Sequence, residues 1–105
     1  MMVLVMVFGS LDAGYRTGCC GFKSLEEVVR DLYFPRLYKE FGQQCVRCRY
    51  INIEAPEARY FPDILWKVQQ GELKIPVVTV DSRIVLDGHF TSQQLVDAIR
   101  KVIEP

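Results

Sequence analysis

The chain opens with an unbroken apolar run, Met1-Met-Val-Leu-Val-Met-Val-Phe8, followed by Gly9. A strand with one buried face alternates apolar and polar residues, whereas this run contains no polar residue at all. It therefore predicts a strand near the centre of a sheet that is covered on both faces. The run lacks the basic start and the cleavage site of a secretion signal, and it is too short to span a bilayer.

Capping and periodicity signals divide the remaining residues into further elements. Ser24-Leu-Glu-Glu27 is typical of a capping box, and it predicts a helix to about Phe41 with a kink at Pro35. Residues 9–23 show no helical periodicity and are expected to form a loop. The other expected elements are a strand over 45–54, a helix over 62–70, strands over 75–80 and 83–86, and a helix opened by Thr91-Ser-Gln-Gln94.

The resulting element order is βαβ–α–ββα. A βαβ unit demands a parallel strand pair with a right-handed crossover, and the short turn between the last two strands makes them antiparallel. The sequence therefore predicts an α/β fold of three layers, in which a four-stranded mixed sheet is flanked by three helices. A length of 105 residues predicts a single domain over 1–105.

The charge balance and the cysteine count limit the classes of function. Thirteen Lys and Arg residues balance thirteen Asp and Glu residues, so no net charge recruits nucleic acid or an anionic membrane. We expect a cytoplasmic protein. In that compartment its four cysteines are expected to be free, reactive or metal-binding rather than joined in structural disulfides.

The second half of the chain resembles a known superfamily. KIPVVTVDSRIVLDGHFTSQQLVDAI is similar to the end of a thioredoxin or glutaredoxin, and RYINIEAPEARYFPDILWKVQQGELKIPVV resembles the small bacterial YuzD-like disulfide oxidoreductases. The resemblance implies a thioredoxin-like fold and thiol-disulfide exchange with protein thiols, protein disulfides or a small thiol, without an organic cofactor. It also implies a cis peptide bond before Pro76. Ile75 and Pro76 would form a wall that faces the reactive cysteines and receives the extended backbone of a substrate.

Two adjacent cysteines lie in Gly14-Tyr-Arg-Thr-Gly-Cys-Cys-Gly-Phe-Lys23, directly after the first strand. Open α/β sheets carry their sites outside the carboxyl ends of parallel strands, which is where this segment begins. Arg16 and Lys23 can favour the thiolate, the form that attacks a disulfide or binds a metal. In the family pattern Cys-x-x-Cys, the first position is occupied here by Arg16 and the second by Cys19. We predict Cys19 as the nucleophile and Cys20 as the resolving or auxiliary thiol.

Three alternatives to this enzymatic role remain open. Two neighbouring thiolates can bind one soft ion, such as Cu(I) or a trivalent metalloid, as in the arsenic metallochaperones that this pair resembles. The domain can instead be redox-inactive and bind only a partner protein. The two thiols can also be incidental loop residues.

A second pair, Cys45-Val-Arg-Cys48, has the spacing of a redox motif. Cys45 is expected to begin the second parallel strand, at the end of the sheet opposite the Cys19 segment and roughly 20 Å from it. Two partly buried strand cysteines are therefore favoured over a reactive pair, and the same separation opposes a zinc site that joins all four thiols. A role for His89 as a metal ligand or base would need further residues that the sequence does not indicate, so it is expected in a surface loop.

Overall fold

The apolar run at the start of the chain forms an inner strand of a four-stranded sheet. The computed structural model describes the backbone of residues 2–10, 14–16 and 22–103, and the side chains of residues 2–10 and 26–103. Its strands are β1 (Val3–Gly9), β2 (Gly14–Arg16), β3 (Phe22–Ser24), β4 (Val46–Asn52), β5 (Val77–Val80) and β6 (Arg83–Asp87). Its α-helices are α1 (Leu25–Val28), α2 (Phe34–Phe41), α3 (Pro62–Gln69) and α4 (Ser92–Ile103).

The strand order in the main sheet is β4-β1-β5-β6. Strands β1 and β4 are parallel, with Val3 opposite Val46 and Gly9 opposite Asn52. Strand β5 runs antiparallel to β1, and β6 runs antiparallel to β5. The expected mixed sheet of four strands is therefore confirmed, as is the parallel pair made by the first and second long strands.

Both faces of the sheet are covered. Successive residues of β1 point to opposite faces, so the strand contributes side chains to an apolar cluster on each of them. Val3, Val5 and Val7 belong to the larger apolar cluster, in which α1, α2 and α4 supply the facing side chains. Met6 and Phe8 belong to a smaller cluster that includes Ile51 and Ile64, under α3. The uninterrupted apolar character of the run is thus accounted for, since each of its two faces has its own core.

The first helical region adapts to Pro35 by changing its winding. A π-helical stretch, Val29–Tyr33, joins α1 to α2, and the Phe34 N–H donates to the Val29 carbonyl five residues earlier. Proline has no N–H to donate and its ring crowds the preceding turn, so the α-helical bonding pattern is interrupted there. The expected disturbance at Pro35 takes the form of a widened turn just before it.

Several element boundaries differ from those that the sequence predicts. The region 9–23, expected as a loop, contains β2 and most of β3, which pair as a separate two-stranded sheet. A 3-10 helix, Pro56–Tyr60, precedes α3 and was not expected. Strand β4 is shorter than the predicted strand and begins one residue after Cys45. Among the described residues, no helix is long and apolar enough to cross a membrane.

Candidate functional site

The segment that holds Cys19 and Cys20 connects β2 to β3. These two strands pair antiparallel, with Gly14 opposite Ser24 and Arg16 opposite Phe22, so the chain enters and leaves residues 17–21 side by side. Strand β3 leads directly into α1. Cys19 and Cys20 themselves lie outside the described residues, and the prediction that they form the reactive pair stays a prediction.

Ile75 and Pro76 lie at the edge of the sheet where β1 ends. Pro76 is buried, and the next residue, Val77, is paired with Phe8 of β1. The Ile75–Pro76 peptide bond is cis, as the resemblance implies. The segment that leads to β2 also begins at this edge, immediately after Gly9. The expected contact between Pro76 and the two cysteines lies outside the described residues.

Two hydrogen bonds hold Lys74, the residue before Ile75, against the end of β6. The Lys74 N–H donates to an Asp87 carboxylate oxygen at 3.2 Å, and the Gly88 N–H donates to the Lys74 carbonyl at 2.7 Å. These two hydrogen bonds therefore fix the backbone that leads into the Ile75–Pro76 peptide bond.

The same edge carries a polar pair that sequence reasoning missed. The Ser10 hydroxyl, directly after β1, donates to a carboxylate oxygen of Glu54, two residues after β4. The Ile53 N–H also donates to the Gly9 carbonyl at 2.8 Å, which extends the parallel pairing beyond β4. Because parallel strands end at a common edge, a polar residue after each of two such strands was the available signal.

Cys45 and Cys48 lie away from this edge, and both are free thiols. Cys45 is at the end of a turn, and its carbonyl accepts from the Val3 N–H at 2.9 Å, where β1 begins. This confirms the expected placement of Cys45 at the opposite end of the sheet. The expectation that it is a partly buried strand residue is wrong: Cys45 is exposed, because it lies in the turn before β4, which begins at Val46.

Cys48 is a half-buried residue of β4 beside Tyr38. Burial raises the pKa of the Cys48 thiol to about 11, although a side-chain hydrogen bond with Tyr38 lowers it in part. The Cys48 N–H donates to the Tyr38 hydroxyl oxygen at 3.3 Å. A thiol that keeps its proton at neutral pH is a poor nucleophile, so Cys48 has the properties of a packing residue.

Neither His89 nor any described cluster offers a metal centre. His89 is exposed in the bend that precedes α4, which confirms its expected surface position. Within residues 2–10, 14–16 and 22–103, no group of three or more His, Cys, Asp or Glu residues is arranged to hold a metal ion.

Comparison with known proteins identifies the shape of the chain and no activity. No family model matches the chain, and no curated protein matches it in sequence. The crystal structure of a Staphylococcus aureus protein of unknown function, SA0789, is similar over 100% of this chain and 95% of that chain. Its TM-score is 0.73 and its sequence identity is 20%. At that identity the similarity shows a shared fold alone.

Proposed function

We propose that this chain has a thioredoxin-like fold and acts as a thiol-disulfide oxidoreductase of the YuzD-like kind. Support for the fold comes from the strand order β4-β1-β5-β6, in which one parallel pair is followed by two antiparallel strands. The observation that carries the function is a convergence at one sheet edge. The segment that holds Cys19 and Cys20 leaves the sheet after Gly9, and Pro76 lies beside that same strand end.

The proposed reaction is a two-step exchange at the adjacent thiols. The Cys19 thiolate attacks one sulfur of a substrate disulfide, which forms a mixed disulfide and releases the first substrate thiolate. The Cys20 thiolate then attacks the Cys19 sulfur, which releases the second substrate thiolate and leaves a Cys19–Cys20 disulfide. The substrate gains two electrons and the protein loses two. Two molecules of a small cellular thiol then reduce the Cys19–Cys20 disulfide by two further exchanges and leave as their own disulfide. The ring closed by adjacent cysteines is strained and therefore easily reduced.

The wall formed by Ile75 and Pro76 gives this reaction its proposed docking surface. The two bonds at Lys74 fix the backbone that leads into the wall, so an extended peptide can lie along it without reordering the protein. The proposed partners are protein thiols or disulfides and a small thiol. The proposed compartment is the cytoplasm, where exposed thiols such as Cys45 stay reduced.

The proposal is tested by disulfide exchange on purified protein. In insulin-reduction and glutathione-dependent assays, we expect Cys19→Ser to abolish activity and Cys20→Ser to weaken it. The Cys20→Ser variant should also accumulate the mixed disulfide, because the second attack is missing, and mass spectrometry detects that species. Cys45→Ser is the matched control: this thiol is exposed but lies at the opposite sheet end, so its removal should leave the activity unchanged.

Two results would contradict the proposal in different ways. A wild-type protein that is inert in exchange yet binds one Cu(I) or arsenite per chain, with loss of binding in Cys19→Ser, would make it a soft-metal binder. A protein that neither exchanges disulfides nor binds these ions would be a redox-inactive domain that binds a partner.

A further inference from the structure

A cavity of about 250 Å³ lies on the face of the sheet that α3 covers. Its floor is the outer part of the smaller apolar cluster, Met6 and Phe8 of β1, together with Ile84 of the edge strand β6. Ile84 lies on β6, at the border of the sheet, and is 37% exposed. The cavity extends from Phe8, near the end of β1, to Ser82, in the turn beside the start of β1.

A polar atom beneath this cavity has no hydrogen-bond partner among the described residues. Thr79 of β5 lines the cavity and is only 1% exposed, and its hydroxyl makes no hydrogen bond to any described residue. Leaving a buried hydroxyl without a partner costs roughly 1–3 kcal/mol. In the sheet, Thr79 is paired with Met6 and Ile84, so its side chain points to the same face as the cavity floor. The hydroxyl oxygen is itself buried, so a molecule in the cavity supplies the missing hydrogen bond once the Thr79 side chain rotates about χ1 towards it.

Hydrogen-bond donors lie on the wall of the cavity that α3 forms, opposite the apolar floor. Helix α3 begins there at Pro62, and no side chain of a described residue caps its first turn. Pro62 has no N–H, and the Phe61 N–H donates to the Ala58 carbonyl at 2.9 Å. The N–H groups left for a ligand are therefore those of Asp63 and Ile64, at the positive end of the helix dipole. The half-buried Lys67, one turn later, also lines the cavity, and its ammonium group forms no ion pair with a described residue. Asp63 brings a carboxylate to the same wall, but its side chain belongs to an exposed residue.

We propose that this cavity is a binding site for a small monocarboxylate with an apolar, ring-sized body. The apolar body packs on Met6, Phe8 and Ile84, and the carboxylate accepts hydrogen bonds from the Thr79 hydroxyl and from the α3 wall with Lys67. The volume suits this class, since a protein cavity of about 150 Å³ already holds benzene and the space here is larger. A free inorganic anion would leave the apolar floor bare, and a pure hydrocarbon would leave Thr79 without a partner.

Benzoate is the probe, and benzamide is its neutral isostere. On ¹⁵N-labelled full-length protein at constant ionic strength, benzoate should cause saturable amide shifts centred on Lys67, Thr79 and Ile84, with one site per chain. Benzamide should bind about threefold or more weakly, because it lacks the charge that Lys67 and the helix start recognise. Shifts that do not saturate, or that are equally large around the exposed Lys39 of α2, would overturn the proposal.

Two variants locate the interaction within the cavity. Thr79→Val keeps the shape of the side chain and removes the hydroxyl, so benzoate affinity should fall by about fivefold, the equivalent of one hydrogen bond. Lys67→Gln should weaken binding by about threefold, whereas the matched Lys39→Gln should not change it. Unchanged affinity in Thr79→Val would overturn the assignment.

A third variant removes the space instead of the polar groups. Ile84→Trp places a larger ring over the cavity from the edge strand, where exposure tolerates the change, and it should abolish benzoate binding while disulfide exchange is retained. Retained binding in Ile84→Trp would contradict the proposal. Because Thr79, Lys67 and Ile84 take no part in the proposed disulfide exchange, failure of this site would leave the proposed oxidoreductase activity standing.

Discussion

Cys48 illustrates how one residue's surroundings set its reactivity. Its thiol has a pKa of about 11 because burial disfavours the thiolate, whereas Cys45 lies exposed in the preceding turn. We therefore expect iodoacetamide to modify Cys45 well before Cys48 at neutral pH, and modification of Cys48 to rise steeply toward pH 11. Peptide mass spectrometry after timed alkylation measures both rates. In urea the difference should disappear; if it persisted there, folding would not be its cause.

The same thiol links stability to alkaline pH. Its ordinary pKa is 9.0 and its folded pKa is about 11, so the fold favours the neutral form. The stabilisation is complete below pH 9 and is lost as the pH rises through 11. Since Cys48 is partly exposed, solvent screening limits the effect to about 1–2 kcal/mol.

Urea unfolding at both ends of this range measures the effect. Between them, the free energy of unfolding of the wild type should fall by more than that of Cys48→Ala, which has no thiol to titrate. Equal losses in the two proteins would show that the Cys48 thiol is not responsible.

At the scale of elements, α4 begins with a complete capping box. The Gln94 N–H donates to the Thr91 hydroxyl at 3.1 Å, and the Thr91 N–H donates to the Gln94 side-chain oxygen at 2.8 Å. Thr91→Ala removes the first of these bonds and should lower the free energy of unfolding by about 1 kcal/mol. Thr91→Ser keeps the hydroxyl and should stay close to wild type in urea denaturation. Equal losses in the two variants would mean that the cap contributes nothing.

The capping box also marks what short-range patterns can predict. Thr91 and Gln94 form reciprocal bonds three residues apart, so the start of α4 is readable from the sequence alone. The 3-10 helix Pro56–Tyr60 was missed because Pro56 is equally typical of a turn and the helix is too short to show a period. The β2–β3 pair was missed because three-residue strands cannot display alternation.

The site residues also differ in whether the sequence alone predicts their role. The resemblance of the second half of the chain to thioredoxins predicts the cis bond before Pro76, and that bond is present. No sequence pattern marks Thr79 as a site residue, because a threonine within Val77–Val80 looks the same in the sequence whether or not its hydroxyl is hydrogen-bonded. Whether any described residue bonds to the Thr79 hydroxyl depends on tertiary packing, which the sequence of the strand does not record.

At the scale of the whole molecule, two clusters share one sheet and should unfold together. Leu37 of α2 is fully buried in the larger cluster, and Trp66 lies on α3, on the other face. Leu37→Ala should lower the free energy of unfolding by about 2–5 kcal/mol. It should also shift the unfolding seen by Trp66 fluorescence and that seen by far-ultraviolet circular dichroism to the same urea concentration. Separated transitions would show that the α3 face unfolds independently.

Because β1 is an inner strand, hydrogen exchange at its amides should report the global unfolding of the protein. This strand is bonded to β4 on one side and to β5 on the other, and it is buried beneath helices on both faces. Deuterium can reach those amides only when the whole sheet comes apart, so their exchange should report the full free energy of unfolding. Amides on β6, at the sheet border, need only local fraying and should exchange faster. A denaturant added in small steps should therefore accelerate β1 exchange first and most steeply, and a flat response there would show that the strand opens by a smaller, local motion.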